Sequence, residues 1–239
     1  PLIDGSAIGW TIQVQIAGLR AAPETPDGTE PVEKRVLYPS QVVSVSDGEK
    51  FITLYPPTSA VDERITCGVD FTAEAPVIGK QWFTFARRED EHYALTVGPA
   101  RTFAPSLQKV EEMRANGYLK GGSEGCALVA AGSDWLDSSL LRFPIDEPAR
   151  HKVLDMIGDL SLLSVGGNQG LPLGHIVAYK AGHKMHLKFA RALRAACSSE
   201  HWVPSLPWDL SIVADFIRES KKKAEEAGEG EQAQGKQEP

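Results

Sequence analysis

The spacing of hydrophobic positions along the chain changes several times, and each change predicts an element. Ile8, Ile12 and Ile16 follow the turn signal Asp4-Gly5-Ser6 at a four-residue spacing, which predicts a one-sided helix within Pro1–Arg20. Ala21–Glu33, rich in Pro, Thr, Asp and Gly, reads as a loop. From Arg35 to Val97 the pattern shortens to β-prone runs at Gln41–Ser46, Lys50–Tyr55, Arg64–Phe71, Gln81–Ala86 and His92–Val97. Asp47-Gly48 offers a hairpin turn between the first two, because Gly tolerates the positive φ such a turn requires. Leu107, Val110 and Met113, spaced by three, predict a helix over Pro105–Asn116 that Gly117 stops. Cys126–Ala131 is a short apolar strand. Pro148–Leu163 is the clearest helix, with Asp146 as its cap and Pro148 in its first turn. Ile176–Tyr179 reads as a strand and Lys184–Cys197 as a helix, while Trp202–Ile217 carries two tryptophans and is expected to dock on the body. Strands clustered between helices, without regular β-α alternation, predict an α+β fold in which a β-sheet packs with helices.

Composition narrows the function. A chain of 239 residues accommodates one large domain or two small ones, and 42% hydrophobic residues can fill a core. The charge balance, 25 basic against 32 acidic residues and a net −7, argues against a general nucleic-acid binder while allowing a local basic pocket for a phosphate. No run approaches the roughly 18 apolar residues of a membrane span. Cys67, Cys126 and Cys197 are too scattered for a disulfide framework or a cysteine-rich zinc site. Arg218–Pro239 is charged and lacks any aromatic, Leu, Ile or Val, so it cannot bury a core. The first residue is Pro1 rather than Met, with no signal segment after it, which reads as a cut or processed N-terminus.

Chemistry concentrates on the helix beginning near Pro148. At about 100° per residue, His151, Lys152, Asp155 and Asp159 share one sector, opposite Val153, Met156, Ile157 and Leu160. A His and a carboxylate at i and i+4 point the same way and can hold one divalent ion; the same spacing also describes a solvated face with a His–Asp pair. Gly158 in mid-helix costs ~1 kcal/mol relative to Ala, which suggests a close approach there. His183, after Tyr179-Lys180-Ala181-Gly182, suits a general acid or an oxyanion stabiliser, or is an ordinary turn histidine. His175 and His186 are further metal candidates, and His92 and His201 read as surface residues. Thr102 offers a hydroxyl, and Gly121-Gly122 let backbone approach a ligand. Walker A, dinucleotide, nucleophile-elbow and zincin motifs are absent.

Four motifs occur in order: A-R-T-F (Ala100–Phe103), K-G-G-S (Lys120–Ser123), R-H-K-V-L-D-M-I-G-D-L (Arg150–Leu160) and A-Y-K-A-G-H (Ala178–His183). Together they resemble the C-terminal half of the zinc-dependent UDP-3-O-acyl-N-acetylglucosamine deacetylases, over roughly Pro1–Ala196. P-L-I-D-G-S-A at Pro1–Ala7 resembles the junction between that family's two α+β domains, and Gly166–Pro172 resembles its plant and algal branch. The resemblance implies a junction helix at 1–20, a C-terminal catalytic domain at 21–198 with an insert near 101–122, and an extension at 199–239 without counterpart. It implies Zn2+ held by His151 and Asp155, with Asp159 orienting the catalytic His183 and Thr102 steadying the acetyl oxygen. Lys152, Lys50, Phe71, Phe103, Gly122 and Lys180 are implied to bind the substrate, Phe103 and the insert along its acyl chain. The implied reaction removes the N-acetyl group in the committed step of lipid A synthesis, with zinc supplying the nucleophile for the acetamide carbonyl. The remaining zinc histidine and the general-base glutamate belong to the family's N-terminal domain, which is thus the implied partner of a fragment inactive by itself. Glu91-His92 and Glu200-His201 do not suit that role, and Glu124-Gly125 and Pro105 depart from the family pattern in the insert. The alternative is a catalytically inactive truncated paralogue that binds the nucleotide-sugar lipid or a partner chain. Plant-type relatives imply mitochondria and bacterial ones the cytoplasm.

Overall fold

Strand-forming residues from two distant stretches of the chain build one sheet. The structure, a computed structural model, describes residues 35–58, 62–86, 93–117, 125–163, 171–197 and 202–204. Strands β1 (Arg35–Leu37), β2 (Val43–Asp47), β3 (Lys50–Tyr55), β4 (Glu63–Asp70) and β5 (Lys80–Ala86) come first. The four-residue helix α1 (Tyr93–Thr96), β6 (Thr102–Ala104) and α2 (Leu107–Ala115) follow. Next come β7 (Ala127–Ala131), β8 (Asp134–Trp135), α3 (Glu147–Leu160), β9 (Gly174–Tyr179), α4 (His183–Ala196) and β10 (Trp202–Pro204). The main sheet has the order β2-β3-β9-β4-β5, so the strand latest in the chain lies at its centre, antiparallel to β3 and parallel to β4. β1 pairs with β10, and β6, β7 and β8 form a small separate sheet.

Alternation along the strands sends Val43, Val45, Ile52, Leu54, Ile65, Cys67, Ile176 and Ala178 to one face of the main sheet. α3 and α4 cover that face with Val153, Met156 and Leu160, and with Met185, Phe189 and Leu193. This is the α+β architecture expected from the sequence. A second cluster joins Val69, Ala75 and Ile78 to Ala130 of the small sheet. Among the described residues, no helix is long and apolar enough to cross a membrane. All three cysteines are free.

Most predicted elements stand, with informative exceptions. Gly48 turns the β2–β3 hairpin at φ +58°, and Ser106 caps α2 by accepting the Lys109 backbone N–H at 3.1 Å. Gly117 follows α2 at φ +73°. His92–Val97, read as a strand, instead contains the helical turn α1. One helical turn carries Tyr93 to the edge of Phe85 and the fully buried Val97 into the core, and Val97 N–H donates to the Tyr93 carbonyl. Asp146 stands at the N-cap of α3, yet its carboxylate accepts from Arg150 at 2.7 and 3.1 Å rather than from the helix backbone. Gly158 is exposed and a Cβ there would meet nothing, so the close approach inferred from it is not found. The expected N-terminal helix, the loop that follows it, Gly122 and most of the 199–239 extension lie outside the described residues.

Candidate functional site

Two parallel strands, β4 and β9, end at the same edge of the sheet where β3 begins, and this brings distant residues together. An open cavity of about 1200 Å³ is lined there by Lys50 from β3, Asp70 and Phe71 from the end of β4, Lys180–His183 from the end of β9, and Lys152 from α3. Of the residues singled out in the sequence, Lys50, Phe71, Lys152, Lys180 and His183 thus share one pocket. Phe103 joins them through Phe71, edge to face at 5.4 Å, and lies 5.6 Å beneath the Lys152 ammonium.

His151 and Asp155 stand on one face of α3, one turn apart. His151 Nε2 is 3.3 Å from Asp155 Oδ1, while the outer atom of each is occupied: His151 Nδ1 donates to the Ala100 carbonyl at 3.0 Å, and Lys152 Nζ donates to Asp155 Oδ2 at 2.6 Å. Burial lowers the pKa of His151 against the opposing pull of Asp155, which favours a neutral imidazole with a free lone pair. Burial pushes the Asp155 pKa up, but the Lys152 ammonium bonded to it holds it below the usual carboxylate range. Donor atoms about 2.0–2.1 Å from a tetrahedral ion stand about 3.3 Å apart. The pair therefore fits two ligands of zinc, with outer partners that fix ring and carboxylate as metal sites require. Thr102 opens β6 two residues beyond the carbonyl that orients His151.

A second polar unit follows along α3. Asp159 Oδ2 accepts from His183 Nδ1 at 2.7 Å and from His186 Nδ1 at 2.6 Å. These three residues are the one group of three metal-type donors within 4.8 Å among the described residues. Their separations are those of charge-assisted hydrogen bonds, too short for neighbouring donors of a tetrahedral ion. His186, expected as a metal candidate, falls within that group and is a buried partner of Asp159. His175 is elsewhere: β9 turns it to the face of the sheet opposite α3 and α4, where Nε2 bonds Thr66 Oγ1 at 2.7 Å. Gly182 adopts extended backbone, so it does not free His183 through any special conformation; its carbonyl accepts the backbone N–H groups of Met185 and His186.

Two supporting residues, Glu147 and Tyr179, were not foreseen. Glu147, fully buried, accepts the backbone N–H and Nε of Arg101 and the backbone N–H groups of Arg142 and Phe143. Tyr179 donates its hydroxyl to Asp70 at 2.7 Å and stacks on Trp82, with ring centroids 5.2 Å apart. Lys180, expected at the site, is the non-glycine residue with a positive φ (+51°) among the described residues; its Nζ lies 3.0 Å from Glu49 and 3.6 Å from Asp70. His186 had a legible signal in its three-residue spacing from His183, whereas Glu147 and Arg101 are joined only by tertiary contact.

Fold and site define an α+β domain that sets a His–Asp donor pair beside a carboxylate–histidine unit at the mouth of a basic pocket. Residues 1–195 match the family model described as LpxC, UDP-3-O-acyl N-acetylglycosamine deacetylase, and the chain belongs to this family. Relatives include "Probable UDP-3-O-acyl-N-acetylglucosamine deacetylase 1, mitochondrial" of Arabidopsis thaliana, 45% identical over 193 residues, covering 81% of this chain and 57% of that protein. A UDP-3-O-acyl-N-acetylglucosamine deacetylase of Synechocystis sp. is 37% identical over 193 residues, 81% of this chain and 63% of its own. The chain spans less than two thirds of the length of these relatives.

Proposed function

We propose that this chain supplies one half of a zinc-dependent centre that removes the N-acetyl group of UDP-3-O-acyl-N-acetylglucosamine, the committed step of lipid A synthesis. The observation that carries the reading is the 3.3 Å separation of His151 Nε2 and Asp155 Oδ1, each braced from behind. Bound there, zinc supplies Lewis acidity toward the acetamide carbonyl and a nucleophile usable at neutral pH. The third protein ligand and the general base are assigned to sequence outside this chain, in an N-terminal domain of the same protein.

His183 keeps Nδ1 on Asp159, so Nε2 is the nitrogen that meets the substrate. Once Nε2 also carries a proton, His183 donates from there a hydrogen bond to the oxygen on which negative charge develops, and passes that proton to the departing amine. Thr102 steadies the same oxygen. Lys50, Lys152 and Lys180 offset the diphosphate charge, and Phe71 lines the nucleotide-sugar pocket. Phe103, with the insert that includes Gly122, receives the acyl chain. The designation of the Arabidopsis relatives supports a mitochondrial setting.

Zinc content and deacetylase rate, measured on the polypeptide translated from the native transcript, test the reading. His151→Ala should lower zinc affinity and rate by more than about 100-fold, since even outer partners of such ligands are worth about 10–100-fold. Unchanged zinc content and rate would sink it. Substrate binding that survives chelation, without turnover, would favour an inactive binding paralogue.

A further inference from the structure

We infer that His186 is a positioning residue, which fixes the Asp159 carboxylate in the orientation that engages His183. Both imidazoles meet the same oxygen, Asp159 Oδ2, at 2.6 and 2.7 Å. A carboxylate only accepts hydrogen bonds, so both Nδ1 atoms donate to it.

The two histidines are otherwise unlike. His186 is 1% exposed, whereas the His183 side chain is 66% exposed. One turn of α4 separates them, and their rings meet edge to face with centroids 5.8 Å apart. His186 is fixed from both sides: its backbone N–H donates to the Gly182 carbonyl at 3.0 Å, and Met185 and Phe189 beside it are core residues. Burial lowers its pKa against the pull of Asp159, in keeping with a neutral ring that holds its proton on Nδ1.

The division of work follows from these environments. An exposed His–carboxylate pair alone is a weak orienting device, because solvent competes for both partners and rotamer entropy opposes the pairing. A buried N–H on the same oxygen removes that freedom. The carboxylate is then held from the interior and the solvent-facing imidazole aligns to it, as outer-shell partners align the groups they support.

Long-range proton–nitrogen NMR of the chain reads each imidazole tautomer without substrate. Wild type should carry its protons on Nδ1 of both His183 and His186; an unprotonated His186 Nδ1 overturns the inference with no variant needed. His186→Leu should convert the single His183 tautomer into a mixture. His186→Asn, whose side-chain N–H can reach the position of Nδ1, should restore it. A His183 signature unchanged in folded His186→Leu, or unrestored in folded His186→Asn, overturns the inference.

That this orientation serves catalysis rests on the deacetylase reading. In the deacetylase assay His186→Leu should lower kcat about tenfold with KM within about twofold, and His186→Asn should recover most of the loss. An unchanged kcat, or equal loss in both variants, overturns the catalytic role. The tautomer result stands apart from it, so the inference and the deacetylase reading fail separately.

Discussion

At the N-terminal end of α3, Glu147 is wholly enclosed and accepts four hydrogen bonds, three from backbone N–H groups and one from Arg101 Nε. At the C-terminal end, about 18 Å along the helix, Asp159 accepts two, both from histidine side chains, with 21% of its side chain open to solvent. The acids share a helix and differ in what they restrain. Glu147 ties three pieces of chain to one point: the stretch leading into β6 at Arg101, the loop at Arg142–Phe143 and the start of the helix that carries His151. Asp159 restrains two imidazole rings, one exposed and one buried. A carboxylate bonded to backbone builds a scaffold; one bonded to titratable side chains builds a site.

The largest way to break this contrast is Glu147→Ala. It leaves the Arg101 guanidinium buried without its carboxylate and strands three backbone donors, so about 3–5 kcal/mol of stability should be lost. Urea unfolding measures this, and a midpoint near wild type would show that the enclosed acid is dispensable.

Acid titration comes next, and it belongs to the other end. The folded pKa of buried His186 lies below the free value of 6.5, chiefly through burial. Its contribution to stability is therefore complete above that value and is lost as pH falls through the lower folded one. His175, also lowered by burial, adds in the same direction. The urea midpoint should thus decline between about pH 7.5 and about pH 5, and less steeply in His186→Asn. Equal slopes in the two proteins would remove His186 from the account.

Asp146→Ala probes a pair at the scaffold end whose side chains are 19% and 21% exposed. Its carboxylate holds Arg150, but that guanidinium also stacks over Phe83 and Phe143 at 4.0 and 4.3 Å and donates to the Thr96 carbonyl. The loss should stay within about 1 kcal/mol, because no backbone cap disappears with it. His183→Ala should do least to the fold. Its side chain is mostly exposed, so stability should change by no more than about 0.5 kcal/mol, while on the proposed deacetylase reading the activity collapses. A large stability loss there would make His183 part of the scaffold.

The amino-acid sequence determined whatever depends on neighbours a few residues away. Strand alternation, the hairpin turn at Gly48 and the helices around His151 and His183 follow local periodicity. So does the shared face of His151 and Asp155, which one helical turn makes nearly unavoidable. It could not decide partners separated by dozens of residues. His92–Val97 reads as a β-prone run, but burial of Tyr93 and Val97 against the sheet is met by a single helical turn. A histidine at 175 and one at 186 looked equivalent by type; strand alternation sent the first to the face opposite α3 and α4, and helix packing sent the second into the core beside Asp159. Glu147 carried no local mark at all. It became a scaffold residue only because folding brought Arg101, Arg142 and Phe143 around a position that water cannot reach, where every donor and acceptor must find a partner within the protein.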